Sequence, residues 1–74
     1  MDDRLKELIA IGAATTANCV PCLKFHYEKA SKLGVTVEEA KEAIEVGRLV
    51  RRGAARTWDK EADRLVNDVQ EPDR

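Results

Sequence analysis

The two cysteines and the single histidine of this chain lie within eight positions of each other. Cys19 and Cys22 are separated by two residues, a spacing that lets two thiols close a small disulfide and open it again. His26 follows Cys22 by four residues, so on a helix the imidazole lies one turn from the second thiol, on the same face. Imidazole titrates near neutral pH and can take a proton from a thiol and return it. The motif therefore predicts a dithiol redox site with its own proton carrier.

Three other roles for the cysteines stay open from the residues alone. Cys19 and Cys22 can be small buried hydrophobic side chains. They can form a static structural disulfide, although so short a loop removes little entropy from the unfolded chain. With His26 they can also supply three zinc ligands, and a carboxylate would then have to complete the four that a structural zinc site takes.

Length and composition predict one soluble domain over residues 1–74. The formal net charge of -1 gives no electrostatic reason to expect nucleic acid or a membrane surface as a partner. No apolar run is long enough to cross a bilayer, and the acidic start lacks the basic and apolar pattern of a signal peptide. We therefore expect a cytoplasmic location, where a CxxC motif is more often catalytic than structural.

Apolar residues recur at helical spacing through the chain, and no strand-like alternation is present. The spacing predicts an all-α domain of three to four helices. The first begins at an Asp2 or Asp3 cap, the second spans about Cys19 to Leu33, and the third spans Val37 to about Arg52. A last segment, starting at Thr57 or Asp59 and ending at Val69, either continues the third helix or forms a fourth.

Capping residues mark the boundaries of these helices. Asn18 is expected to cap the second helix, and Gly34 to end it. Thr36 and Glu39 form a capping box for the third helix. Pro21 is tolerated in a first helical turn, where its missing N–H costs nothing.

The placement of apolar and charged residues predicts which face of each helix is covered. On the second helix one core-facing stripe contains both cysteines and the histidine, and the opposite side is solvated (Lys24, Glu28, Lys29 and Lys32). A basic ridge on the third helix is expected to be solvated and paired with Glu45 and its neighbours, or else to meet an acidic partner (Arg48, Arg51, Arg52 and Arg56). Gly47 and Gly53 each cost about 1 kcal/mol in a helix interior, a cost that close approach of another helix would explain.

The motif and its surroundings resemble the alkylhydroperoxidase D-like family of the carboxymuconolactone decarboxylase-like superfamily. Glu7, Cys19, Cys22 and His26 match the family signature in residue type and in spacing. The resemblance covers roughly residues 5 to 66, including the stretches 8–11, 26–30, 34–39 and 47–54.

The resemblance implies a small all-helical oxidoreductase that reduces organic hydroperoxides or disulfides with electrons from a dithiol donor. Carried over residue by residue, Cys22 is the thiol that attacks peroxide and Cys19 is its resolving partner. His26 and Glu7 form the proton relay. No metal, flavin or nucleotide cofactor is expected at the site. The decarboxylase branch generally lacks the cysteine pair, so the resemblance does not imply its lactone chemistry.

Two questions stay open at this level. Helix dipole favours a thiolate at Cys19, near the start of its helix, whereas His26 favours one at Cys22, so either can be the reactive thiol. The second question is the function itself. Instead of an enzyme, the chain can be a redox-sensing helical interaction module without turnover, which docks through the basic ridge, or a zinc-binding adaptor.

Apolar residues on several sides of the first and third helices predict an obligate homo-oligomer. A chain of 74 residues buries too little surface alone, and it gains stability when these residues are covered by other subunits. We expect a trimer or hexamer with the CxxC site at or near a subunit interface.

Overall fold

The computed structural model describes residues 1–69, which form three helices. They are α1 (Asp3–Thr16), α2 (Val20–Lys32) and α3 (Val37–Val69). No strand occurs in these residues, so the all-α prediction is confirmed. Helix α3 is continuous through Gly53, and the segment from Thr57 to Val69 extends it instead of forming a fourth helix. The predicted single domain includes residues 70–74, which lie outside the described part of the chain, and stays a prediction.

Most of the predicted helix boundaries are confirmed by their capping contacts. Asp2 caps α1, accepting a hydrogen bond from the backbone N–H of Leu5 at 2.8 Å. Gly34 ends α2 with a φ of 86°, in the left-handed region that glycine adopts without steric cost. Thr36 and Glu39 make both bonds of the capping box, at 2.9 and 3.1 Å.

The cap of α2 differs from the prediction. Cys19, not Asn18, is the N-cap, and its Sγ accepts a hydrogen bond from the backbone N–H of Cys22 at 3.3 Å. Asn18 instead has a φ of 57°, a left-handed conformation that asparagine tolerates better than most residues. It turns the chain sharply after α1, and the N–H of Cys19 then bonds the carbonyl of Ala14 at 3.0 Å. The turn thus moves the cap one residue along the chain, onto a cysteine.

Helix α1 packs against both α2 and α3. The small core consists of Ile11, Ala30, Val35 and Ala40, with Leu8, Leu23, Ala43 and Ile44 packed around it. Helices α1 and α3 approach very closely at Gly47, where an added Cβ would stand 2.5 Å from the carbonyl oxygen of Gly12. The hydroxyl of Thr16 also contacts the Gly47 carbonyl oxygen, at 3.1 Å. The predicted reason for a helical glycine therefore holds at Gly47, whereas among residues 1–69 a Cβ at Gly53 would meet nothing within 4 Å beyond the surrounding helix backbone.

The basic ridge is divided between two environments. Arg48 pairs with Glu45 on the surface of α3 at 2.5 Å, as predicted. Arg51 instead turns toward α1, and its Nη1 donates to the carbonyl of Thr15 at 2.9 Å and to Oδ1 of Asn18 at 2.6 Å. The prediction of a solvated Arg51 paired with acidic neighbours is therefore wrong. The carbonyl groups at the end of α1 lack helical partners and provide acceptors that attract a guanidinium group.

The outer half of α3 extends away from the other helices. The described part of the chain measures 62 × 20 × 18 Å. Residues 54–68 are exposed except for half-buried Ala62, and they include Trp58, Leu65 and Val66, which are at least 50% exposed. Within residues 1–69, none of the three helices has the length and apolar composition that crossing a lipid bilayer requires.

Candidate active site

Cys19 and Cys22 form a disulfide at the start of α2. Their Cα atoms are 5.3 Å apart, a normal separation for a disulfide. Because Cys19 is the N-cap and Cys22 is the third helical residue, the first turn of α2 places the second sulfur beside the first. Pro21 lies between them, in the first turn, where a missing N–H breaks no helical hydrogen bond.

The three motif residues differ in exposure. Cys19 and His26 are half-buried, whereas Cys22 is exposed. The prediction that all three lie on a covered stripe of α2 is therefore wrong for Cys22 within this chain. The disulfide is thus open to solvent on the Cys22 side and packed against α1 on the Cys19 side.

Glu7 comes from α1 and meets His26 of α2. Its Oε1 lies 2.6 Å from the Nδ1 of His26, across a sequence separation of nineteen residues. Glu7 is only 6% exposed. The structure therefore brings the predicted glutamate and histidine together, on two different helices.

The charge on Glu7 follows from its contacts. The hydrogen bond with His26 holds the pKa of Glu7 below its ordinary value, with a further contribution from the charge of Lys29; burial opposes both. Glu7 is therefore ionised at neutral pH and can only accept hydrogen bonds. It follows that Nδ1 of His26 carries the proton of this bond. In neutral imidazole this leaves Nε2 as the basic nitrogen.

Lys29 is a member of this site that the sequence interpretation missed. Its Nζ lies 3.7 Å from Oε2 of Glu7, so each carboxylate oxygen contacts a different nitrogen-bearing side chain. The sequence pattern predicts Lys29 on the solvated side of α2, and its contact with buried Glu7 differs from that prediction. The signal that would have identified it is its position three residues after His26, which puts the two side chains on neighbouring parts of one helix face.

An open pocket of about 260 Å³ lies next to the disulfide. It is lined by Cys19, Cys22 and His26 together with four alanines, Ala10, Ala13, Ala14 and Ala17. The alanines leave space along α1 and give the pocket an apolar wall. Both sulfurs and the imidazole therefore contact the same small volume. Within residues 1–69, no group of three or more His, Cys, Asp or Glu side chains is placed to hold a metal ion.

Known proteins share the part of the chain that contains these site residues. Residues 1–61 match the model of the carboxymuconolactone decarboxylase family. The chain belongs to that family. This confirms the resemblance that the glutamate, the cysteine pair and the histidine had indicated.

A curated relative of this family member is the "Uncharacterized protein 4 in cox locus" of Paracoccus denitrificans. The two are 33% identical over 69 residues, which is 93% of this chain and 62% of the relative. The chain thus spans less than two thirds of the relative's length. No solved structure shows a significant match to the chain.

Proposed function

We propose that this carboxymuconolactone decarboxylase family member is a thiol-dependent oxidoreductase that reduces organic hydroperoxides, disulfides or both through Cys19 and Cys22. The observation that carries this proposal is the contact of buried Glu7 with His26, which lines the same pocket as both sulfurs. A structural disulfide has no need of a histidine whose proton is set by a buried carboxylate. A disulfide that opens and closes does, because every thiolate formed or consumed moves a proton.

The surroundings of the two sulfurs support different roles for them. Cys22 is exposed and lies one helical turn from His26, so it can meet an external peroxide after giving its proton to the imidazole. Cys19 is half-buried, and its sulfur accepts the N–H of Cys22 at the positive end of α2. Those contacts stabilise a thiolate at Cys19. We assign Cys22 as the attacking thiol and Cys19 as the resolving one.

The reaction with peroxide proceeds in two steps. The Cys22 thiolate attacks the terminal oxygen of a hydroperoxide ROOH, the O–O bond breaks, and ROH leaves with a proton supplied by the imidazolium of His26. Cys22 is then a sulfenic acid. The Cys19 thiolate attacks that sulfur, the disulfide forms, and the hydroxyl leaves as water after taking a proton. The peroxide has gained two electrons, and the two thiols have lost them.

An external dithiol then restores the reduced state. A thiolate of the donor attacks the exposed sulfur of Cys22 and expels Cys19 as a thiolate, which its N-cap position stabilises. The second donor thiol attacks the mixed disulfide and releases Cys22, which takes a proton. The donor leaves as a disulfide. The proposed cycle requires a dithiol reductant and no bound cofactor.

Single-cysteine variants test the assignment of roles. Cys22→Ser should consume no peroxide, because the attacking sulfur is gone. Cys19→Ser should react once and retain a sulfenic acid on Cys22, which dimedone traps and mass spectrometry locates. If Cys19→Ser is inert and Cys22→Ser reacts, the two roles are reversed. Disulfide formation without turnover, combined with redox-dependent binding of a partner, would favour the sensor instead.

We also propose that the protein works as a homo-oligomer, a trimer or a hexamer, in the cytoplasm. Large apolar side chains exposed in the single chain support assembly, among them Leu49, Val50, Trp58, Leu65 and Val66. Reducing conditions in the cytoplasm suit a disulfide that has to be reopened. Light scattering at micromolar concentration tests the assembly, and a stable, active monomer would contradict it.

A further inference from the structure

A second pocket, of about 270 Å³, lies between the end of α1, the start of α2 and the middle of α3. We define the basic pocket by its lining: Ala14, Thr15, Asn18, Cys19, Val20, Leu23, Ile44, Arg48 and Arg51. Two of these residues are cations and none is an acid. Its size is close to the lower end of the range for small-molecule sites, about 300–1,000 Å³. It therefore suits a small anion with an apolar part.

The two arginines of the basic pocket are held differently. Arg51 is half-buried, and two hydrogen bonds from its Nη1, to Thr15 and Asn18, hold its guanidinium group against the end of α1. Arg48 is exposed and bonds Glu45 three residues before it. Exposed pairs of this kind contribute little free energy, so a ligand carboxylate can replace Glu45 as the partner of Arg48. One cation is thus held in place while the other is available for exchange.

The remaining lining explains what else the ligand would contain. Leu23 and Ile44, with Ala14 and Val20, give the basic pocket apolar walls that accept an alkyl chain. Cys19 and Ala14 line both the basic pocket and the alanine-lined pocket that contains Cys22. A chain anchored by its carboxylate in one pocket therefore extends past Cys19 toward the other.

We propose that the basic pocket binds the carboxylate of short aliphatic acids and selects hydroperoxides that carry such a group. The binding part stands by itself, whereas the selection of substrates rests on the proposed function. In that reaction the anchored hydroperoxide is reduced to the hydroxy acid by the same two electrons from Cys22 and Cys19.

The binding experiment uses hexanoate as the probe and hexan-1-ol as its neutral counterpart. Each is titrated into the full chain with its disulfide closed, and backbone amide shifts are followed by NMR. Hexanoate should shift the amides of Cys19, Val20 and Arg48, and added salt should weaken its binding. Equal binding of hexanoate and hexan-1-ol would overturn the proposal, because the carboxylate would then add nothing.

Matched charge variants test which arginine acts. Arg48→Gln should weaken hexanoate binding by about three- to tenfold, the effect of one partly exposed charge-assisted hydrogen bond. Arg52→Gln removes the same charge from an exposed position that does not line the basic pocket, and should leave hexanoate binding unchanged. Equal weakening by the two variants would indicate a diffuse field of charge and would overturn the site.

Substrate selection is tested with omega-hydroperoxyhexanoate and n-hexyl hydroperoxide. The reduced protein should react faster with the charged peroxide, and Arg48→Gln should lower the ratio of the two rates by about three- to tenfold. A ratio near one in the unaltered protein would overturn the selection of substrates. If hexanoate binds as expected but neither peroxide oxidises the thiols, the carboxylate site is supported and the proposed peroxidase chemistry is wrong.

Discussion

Replacing Gly47 by alanine should destabilise the protein, although alanine is the better helix former. At this position α1 and α3 are in direct contact, and a Cβ would lie 2.5 Å from the carbonyl oxygen of Gly12 and 2.6 Å from Cβ of Thr15. Ordinary contact begins near 3.4 Å, so the helices would have to separate by about 0.9 Å. Both contacted atoms belong to α1 at or next to its backbone, and neither can rotate away.

The magnitude follows from opposing contributions. Overpacking of this kind costs about 1–3 kcal/mol. Separation of the helices also stretches the contact between the Thr16 hydroxyl and the Gly47 carbonyl, now 3.1 Å, which is worth about 1 kcal/mol. Helix propensity returns about 1 kcal/mol. The net loss for Gly47→Ala is therefore about 1–3 kcal/mol.

Gly53→Ala is the matched control on the same helix. In the described part of the chain a Cβ there would meet only the surrounding helix backbone within 4 Å, so this variant should gain about 1 kcal/mol from propensity alone. Urea denaturation followed by far-UV circular dichroism, at one fixed protein concentration, measures both changes. A Gly47→Ala protein as stable as the unaltered one would refute the close packing of α1 on α3. Loss of stability in Gly53→Ala would instead indicate that another subunit covers this glycine.

Three further predictions concern Glu7 and its neighbours. His26→Ala and Glu7→Gln should each slow peroxide reduction by about 10²–10⁴-fold and change its pH profile, and unchanged profiles in both would exclude a relay. Lys29→Met should raise the pKa of Glu7, measured by NMR of its carboxyl carbon, whereas Lys32→Met, which removes a surface cation paired with Glu28, should not. Because the pKa of folded Glu7 lies below its ordinary 4.5, its contribution to stability is present above that pH and lost as pH falls through the folded value. Glu7→Gln should therefore weaken the acid destabilisation of the protein, and an identical pH dependence of unfolding would contradict this.

Local signals in the sequence predicted the helices and their ends well. The capping box of Thr36 and Glu39 and the left-handed Gly34 depend on residues close in the chain, and both were confirmed. The cap of α2 was not predicted correctly, because asparagine, a favoured capping residue, also tolerates a left-handed conformation. Asn18 was needed for the left-handed turn, and the cap passed to Cys19.

Contacts between helices are the part of the candidate site that residue spacing did not predict. Spacing along α2 predicted the neighbourhood of both cysteines and His26, but the partner of His26 lies on another helix. Only the resemblance to a family pointed to Glu7. The contact of Lys29 with Glu7 and the turn of Arg51 toward α1 depend on how the helices pack, which periodicity does not determine.

The central claim is that Cys19 and Cys22 form a working redox couple, and one measurement tests it most directly. The reduced protein is mixed with substoichiometric organic hydroperoxide, its free thiols and intact mass are measured, and a dithiol is then added with repeated peroxide. We predict that each equivalent of peroxide removes both thiols and lowers the mass by two hydrogens. We further predict that the dithiol restores the thiols and supports many rounds of peroxide consumption. Thiols that survive the peroxide, or a disulfide that dithiols cannot reopen, would contradict the account.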